Sequence, residues 1–166
     1  MQNVALSQSA MRHNPSGYFT PPVVAGFTNH LTLERQLNNQ FVTLLNAFRR
    51  SGGLARAEEV AARFKRQGIK DVSPLAGWIV KRQVISVEWQ SKIWLPLFQF
   101  NPQGMSLRTG LSSILSELVA LYDDWEVAAW FAQPNLWLTD ALPADVLATV
   151  PAQVFNAARA ERTVEV

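Results

Sequence analysis

Apolar residues recur at helical spacing along most of this chain and at strand spacing in one short stretch. Leu37, Phe41, Leu44, Leu45 and Phe48 fall on one helical face. They predict a helix from about Thr32 to Arg50, stopped by Ser51-Gly52-Gly53. That stripe would pack on the rest of its domain. A dimer seam is the sharper alternative, although the stripe is short for a coiled coil. A second helix is predicted over Arg56–Gln67, with Val60, Ala61 and Phe64 inward and Gly68 just past its end. Ser73-Pro74 reads as N-cap and first helical residue of a third helix ending near Arg82, with Leu75, Trp78 and Ile79 inward.

The period then changes. Val84 to Trp89 is β-branched and aromatic, Gln90-Ser91 is polar, and Lys92 to Leu95 resumes the apolar run. This predicts a hairpin, with a bulge or longer loop where Gln-Ser makes a poor two-residue turn. Pro96 would confine the second strand to an edge or end it. Asn101-Pro102-Gln103-Gly104 reads as a turn. Helices follow over about Thr109–Tyr122, from Asp123 or Asp124 to before Gln133, and from Pro143 and Pro151, with fraying after residue 162. Leu136-Trp137-Leu138 is an apolar knot in a loop, a feature that is buried in most proteins. If exposed, Trp137 would suit a protein interface. Trp78, Trp89 and Trp94 occur at inward phases and are expected in the core rather than against bases.

Composition sets the limits. The chain has 166 residues, 48% of them hydrophobic, enough for one domain or two small ones. Residues 1–30, rich in Asn, Ser, Gln, Pro and Gly, are expected to form a flexible arm. The boundaries predicted are an arm over 1–30, a basic unit over 31–105 and an acidic helical module over 106–166. The absence of Cys removes disulfides and thiol chemistry. The N-terminus lacks the basic start and apolar core of a signal peptide, and no apolar run is long enough to span a bilayer. A soluble cytoplasmic protein with no membrane contact is expected.

Charge is divided along the chain. Residues 49–108 carry 11 Lys or Arg and 4 Asp or Glu, whereas residues 109–166 carry 2 Arg and 8 acids. The total of +2 hides this split. A basic middle suits a polyanion, and an acidic tail suits a protein. Arg63, Lys65, Arg66, Lys70, Lys81, Arg82 and Lys92, with Ser73 beside them, are the candidate DNA contacts. A merely solvated face is the alternative. Catalytic equipment is thin: His13 and His30 are the only histidines, and no metalloprotease, nucleophile-elbow or phosphate-loop pattern occurs. Asp123 and Asp124 read as a helix N-cap and a first-turn acid rather than a catalytic pair. No enzyme activity, cofactor or metal is expected.

Two stretches resemble known families. Ala57-Glu58-Glu59-Val60-Ala61, Trp78 to Ile85 and Ile93 to Phe100 resemble the excisionase-like winged helix-turn-helix. Trp125 to Phe131, Pro134 to Leu138 and Leu142 to Leu147 resemble the antitoxin toxin-binding domain of the Xre/MbcA/ParS type. The resemblance implies a mainly α fold: a winged-helix-like unit with one β-hairpin, followed by a C-terminal helical module. It also implies an antitoxin-like regulator, a homodimer that binds operator DNA and holds a protein toxin, often of the RES type. Its partner contacts would lie at Trp130, Asn135, Leu136, Trp137, Leu138 and Asp145. The groove-facing positions of the second DNA-binding helix are here Pro74, Leu75, Ala76 and Gly77, which offer little to base edges. This keeps a second expectation open, an interaction adaptor that has the fold without specific DNA binding.

Overall fold

A long amphipathic helix, α1 (Ala25–Phe48), leads the structure, a computed structural model that describes residues 25–164. Residues 25–30 therefore belong to a helix and not to the expected arm; the rest of the arm lies outside the described residues. The inward face of α1 is Phe41, Leu44 and Phe48, all buried, with Leu37 half-buried. Leu45 drops out of the expected stripe and stays exposed, because it sits about 100° round from Leu44. The helix closes in a 3-10 turn, Arg49–Ser51.

A strand that periodicity did not predict follows, β1 (Leu54–Arg56). Then come α2 (Ala57–Arg66) and α3 (Ser73–Val80). Gly68, at φ 84°, ends the α2 segment as expected: its N–H reaches Lys65 O and the Ile69 N–H reaches Phe64 O. Ser73 is not the N-cap of α3. Val72 holds that position, and the Asp71 carboxylate accepts from the Ser73 hydroxyl and from the Ser73 N–H, which together hold the Asp71 carboxyl below its usual range.

The hairpin is β2 (Val87–Trp89) and β3 (Lys92–Pro96). Trp89 pairs with Lys92, so Gln90-Ser91 is a two-residue turn with no bulge. Both turn residues have positive φ, 49° and 58°, the twist that such a turn requires. Strand order is β1-β3-β2, all antiparallel. Pro96 ends the central strand rather than an edge strand, paired with Leu54. Val84 to Ser86 is not strand. The Gln99 side chain serves its backbone instead, accepting from Ile85 N–H at 2.7 Å and donating to Ile85 O and Pro96 O at 2.9 Å. Gln99 is fully buried, and its amide is satisfied on both sides.

The C-terminal part is helix on helix: α4 (Leu111–Leu118), α5 (Asp124–Phe131), α6 (Pro143–Val146) and α7 (Pro151–Val164). Asp123 caps α5, accepting from Glu126 N–H at 2.9 Å, while Glu126 accepts from Asp123 N–H at 2.8 Å. Buried Ala128, Ala157 and Ala158 allow close approach of helix backbones.

Buried apolar side chains form two clusters. One holds Val60, Phe64, Leu75, Val84, Leu95 and Phe100 of the basic unit. The larger holds the C-terminal helices, but also Leu44 and Phe48 of α1 and Ile85, Val87 and Phe98. Packing thus crosses the boundary expected after residue 105. Val84 and Ile85 are neighbours in the chain yet belong to different clusters. The three tryptophans expected in the core are half-buried: Trp94 and Trp78 pack against the edges of the two clusters, and Trp89 belongs to neither. Trp89 stacks on Phe41 at 3.9 Å and donates to Asn38 at 2.8 Å, Trp94 meets Phe41 edge-on at 5.0 Å, and Trp78 lies 6.2 Å from Phe64.

Candidate functional site

The helix-strand-helix-helix-strand-strand order places the candidate cations on three supports: α2, the ends of α3, and the hairpin. Arg63, Lys65, Arg66, Lys70, Ser73, Lys81 and Lys92 are all exposed. They do not share one face. Arg63 and Arg66 are three apart and lie on the same flank of α2, whereas Lys65 is about 200° round from Arg63. Helix phase, legible in the sequence, already separates them. Arg63 and Arg66 line a groove of about 390 Å³ together with Arg108, which was not among the expected site residues. Lys70 and Ser73 precede or open α3, Lys81 follows it, and Lys92 starts β3 beside the hairpin turn. The outward positions of α3 itself are Ser73, whose hydroxyl is held by Asp71, and Pro74, Ala76 and Val80, the last 83% exposed; Leu75, expected to face the DNA groove, is buried.

Arg82 is the exception. It is half-buried, in a left-handed conformation at φ 54°, and its guanidinium is engaged inside the fold. Nε donates to Asp124 Oδ1 at 2.6 Å, and the two terminal nitrogens donate to Val119 O at 3.0 Å and Tyr122 O at 2.6 Å. Those acceptors lie at the end of α4 and the start of α5, so Arg82 ties the basic unit to the C-terminal helices. In sequence Lys81 and Arg82 look equivalent. Only the reversal of the chain after α3 sends one outward and the other in.

The expected partner residues also separate. Leu136 and Trp137 are 87% and 69% exposed, in a 3-10 turn (Leu136–Leu138). That exposure departs from the burial expected of the apolar knot; Leu138 alone is buried, which removes it from the expected partner contacts, because the turn points it into the larger cluster. The loop that carries Trp137 is closed on itself. Asn135 Oδ1 accepts from Trp137 N–H at 2.9 Å, Asn135 O accepts from Asp140 N–H at 3.0 Å, and Asn135 pairs with Ala141. Asp145 is exposed on α6. Trp130 is half-buried, with its indole N–H donating to Glu161 at 2.9 Å, and Tyr122 donates to the other oxygen of that carboxylate at 3.1 Å. Trp130 therefore works within the helical body.

A second cavity, of about 450 Å³, lies between α1 and α5; its lining includes Gln36, Asn39, Gln40 and Trp125 and a single charged residue, Arg35. Among the described residues no three His, Asp or Glu side chains lie together as a metal site, and no helix is long and apolar enough to cross a membrane. Comparison with known proteins finds no family model, no curated protein and no solved structure that matches this chain.

Proposed function

We propose that this chain is a non-enzymatic cytoplasmic DNA-binding regulator whose basic unit rests on phosphates and whose C-terminal module holds a protein partner. The supporting observation is the order α1-β1-α2-α3-β2-β3 with sheet order β1-β3-β2. This order brings α3 and a β-hairpin wing to one unit, with exposed lysines at Lys70, Lys81 and Lys92. Lysines act as flexible point charges, suited to phosphate contact without base readout. Pro74, Ala76 and Val80 supply no donor or acceptor for base edges, so sequence preference would come from DNA shape. A homodimer would double such contacts. On the resemblance described above the partner is a toxin-like protein, and the exposed Trp137, carried on a loop closed by its own hydrogen bonds, is the anchor it would cover.

The test is binding to duplex DNA from the gene's own upstream region and to a scrambled duplex, across a salt series. A steep salt slope is expected. Replacing Lys70, Lys81 and Lys92 together by Gln should flatten it by roughly 0.9 for each phosphate no longer neutralised. An unchanged slope would overturn the assignment of this face.

One observation favours a second reading, an adaptor without DNA binding: the outward side of α3 is apolar and Arg82 is turned inward. That reading predicts no duplex binding even at low salt, with partner binding unchanged in the triple Gln variant.

A further inference from the structure

The groove between α2 and the segment that follows β3 has the chemistry of an anion site. Arg63 and Arg66 stand on one wall, exposed, and among the described residues neither guanidinium makes a hydrogen bond or salt bridge. The other wall carries Arg108, which is half-buried and held in place. Its Nε donates to Phe98 O at 3.0 Å and one terminal nitrogen donates to Asn101 Oδ1 at 3.3 Å. A guanidinium has five N–H donors, so donors remain for a ligand. The floor is apolar, formed by Leu97, Phe98, Phe100 and Met105, and no carboxylate lines the groove. Gln67 reaches across to Pro102 O at 3.5 Å and links the two walls. Glu59, the acid nearest along α2, is hydrogen-bonded by the Arg56 N–H and guanidinium and feels the charge of Arg63 without bonding to it. Arg49 and Arg50 stand exposed in the turn that leads into Ser51 and Gly52 at the groove's rim.

All four lysines of the chain are absent from this groove, and every cation lining it is an arginine. Arginine is the side chain that grips phosphate oxygens through paired parallel hydrogen bonds. A volume of about 390 Å³ falls within the range of small-molecule sites. We propose that this groove binds a small phosphate-bearing molecule of the nucleotide class. Arg63, Arg66 and Arg108 would hold its phosphates, and the apolar floor would carry its body. The assignment is independent of duplex binding by the lysine face.

The same phosphate chemistry could come from a nucleic-acid backbone, and the experiment separates the two. The full chain is titrated calorimetrically with pyrophosphate, with ADP and with a short DNA duplex at low salt. The Arg63→Gln/Arg66→Gln and Lys81→Gln/Lys92→Gln double variants are treated alike. Both pairs are exposed, and unchanged melting temperatures check that each variant is folded. The expected result is saturable binding of pyrophosphate and tighter binding of ADP. Both should weaken at least about tenfold in the arginine variant, since the charge-assisted hydrogen bonds to phosphate are lost, and both should survive in the lysine variant. Failure of pyrophosphate and ADP to bind would overturn the proposal. So would binding that persists in the arginine variant, or an arginine variant that loses only duplex binding.

Discussion

The basic unit and the C-terminal helices keep their backbones satisfied by different means. The C-terminal helices do it locally, with the Asp123 capping box, the Pro143 and Pro151 starts and ordinary helical bonds. Their stability is spread over aliphatic packing. The basic unit has strands of three to five residues and long irregular stretches between them. It relies on long polar side chains: Gln99 for the backbone of residues 85 and 96, and Arg108 for Phe98 O and the Asn101 side chain, while Arg82 serves the Val119 and Tyr122 carbonyls across the junction. The difference teaches where each part is fragile. In the helices the loss of one side chain leaves a cavity. In the basic unit the loss of Gln99 leaves three backbone groups without partners.

The most forceful way to break this comparison is Gln99→Leu. It strands the Ile85 N–H, Ile85 O and Pro96 O in the interior, and at about 1–3 kcal/mol per unsatisfied group it should cost about 4 kcal/mol or more. Leu118→Ala, a fully buried truncation on the helical side, should cost about 3 kcal/mol. Urea unfolding of both variants decides the matter, and a Gln99→Leu variant more stable than Leu118→Ala would undo the contrast. Arg82→Ala should lose about 2 kcal/mol, since two of its three acceptors are backbone carbonyls. Arg82→Lys should recover only part of that loss, because an ammonium cannot span the three acceptors; the same unfolding assay measures both. Asp123→Ala removes a cap and should cost about 1 kcal/mol, seen as a lowered urea midpoint at unchanged slope.

The smallest effect is a pH dependence. The Arg56 N–H and guanidinium hold the Glu59 carboxyl below its ordinary 4.5. Its folded pKa is lowered, so its contribution is fully present above the ordinary value and is lost as pH falls through the folded pKa. The stability difference between the native chain and Glu59→Gln should therefore shrink on acidification. Glu59 is exposed, so the difference is small throughout.

How far the sequence discloses all this depends on whether the signal is local. Asp123, Gly68 and Pro143 announce helix ends because capping chemistry acts within one turn. β1 is invisible, since Leu54–Arg56 is strand only by virtue of lying beside Trp94, Leu95 and Pro96. The central place of β3, and with it the position of Pro96, follows from that unseen strand. The turn at Gln90-Ser91 has no glycine or asparagine to mark its positive φ. At the candidate sites, charge density picks out the segment that carries the exposed cations, but not the groove that holds arginines alone. Arg108 carried no signal at all, because it enters the groove through the path of residues 100–108. Leu136 and Leu138 look alike in sequence and end on opposite sides of one turn.

Ile85 has a consequence for the timing of hydrogen exchange. Its amide belongs to no helix or strand, and by that criterion it should exchange early. Yet its proton is donated to a fully buried amide oxygen, and its side chain sits in one cluster while that of Val84 sits in the other. Solvent reaches that proton only when Gln99 leaves the interior and the two clusters part. An amide in an irregular stretch is thus protected to the level of global opening, and its exchange lifetime reports the stability of the whole fold.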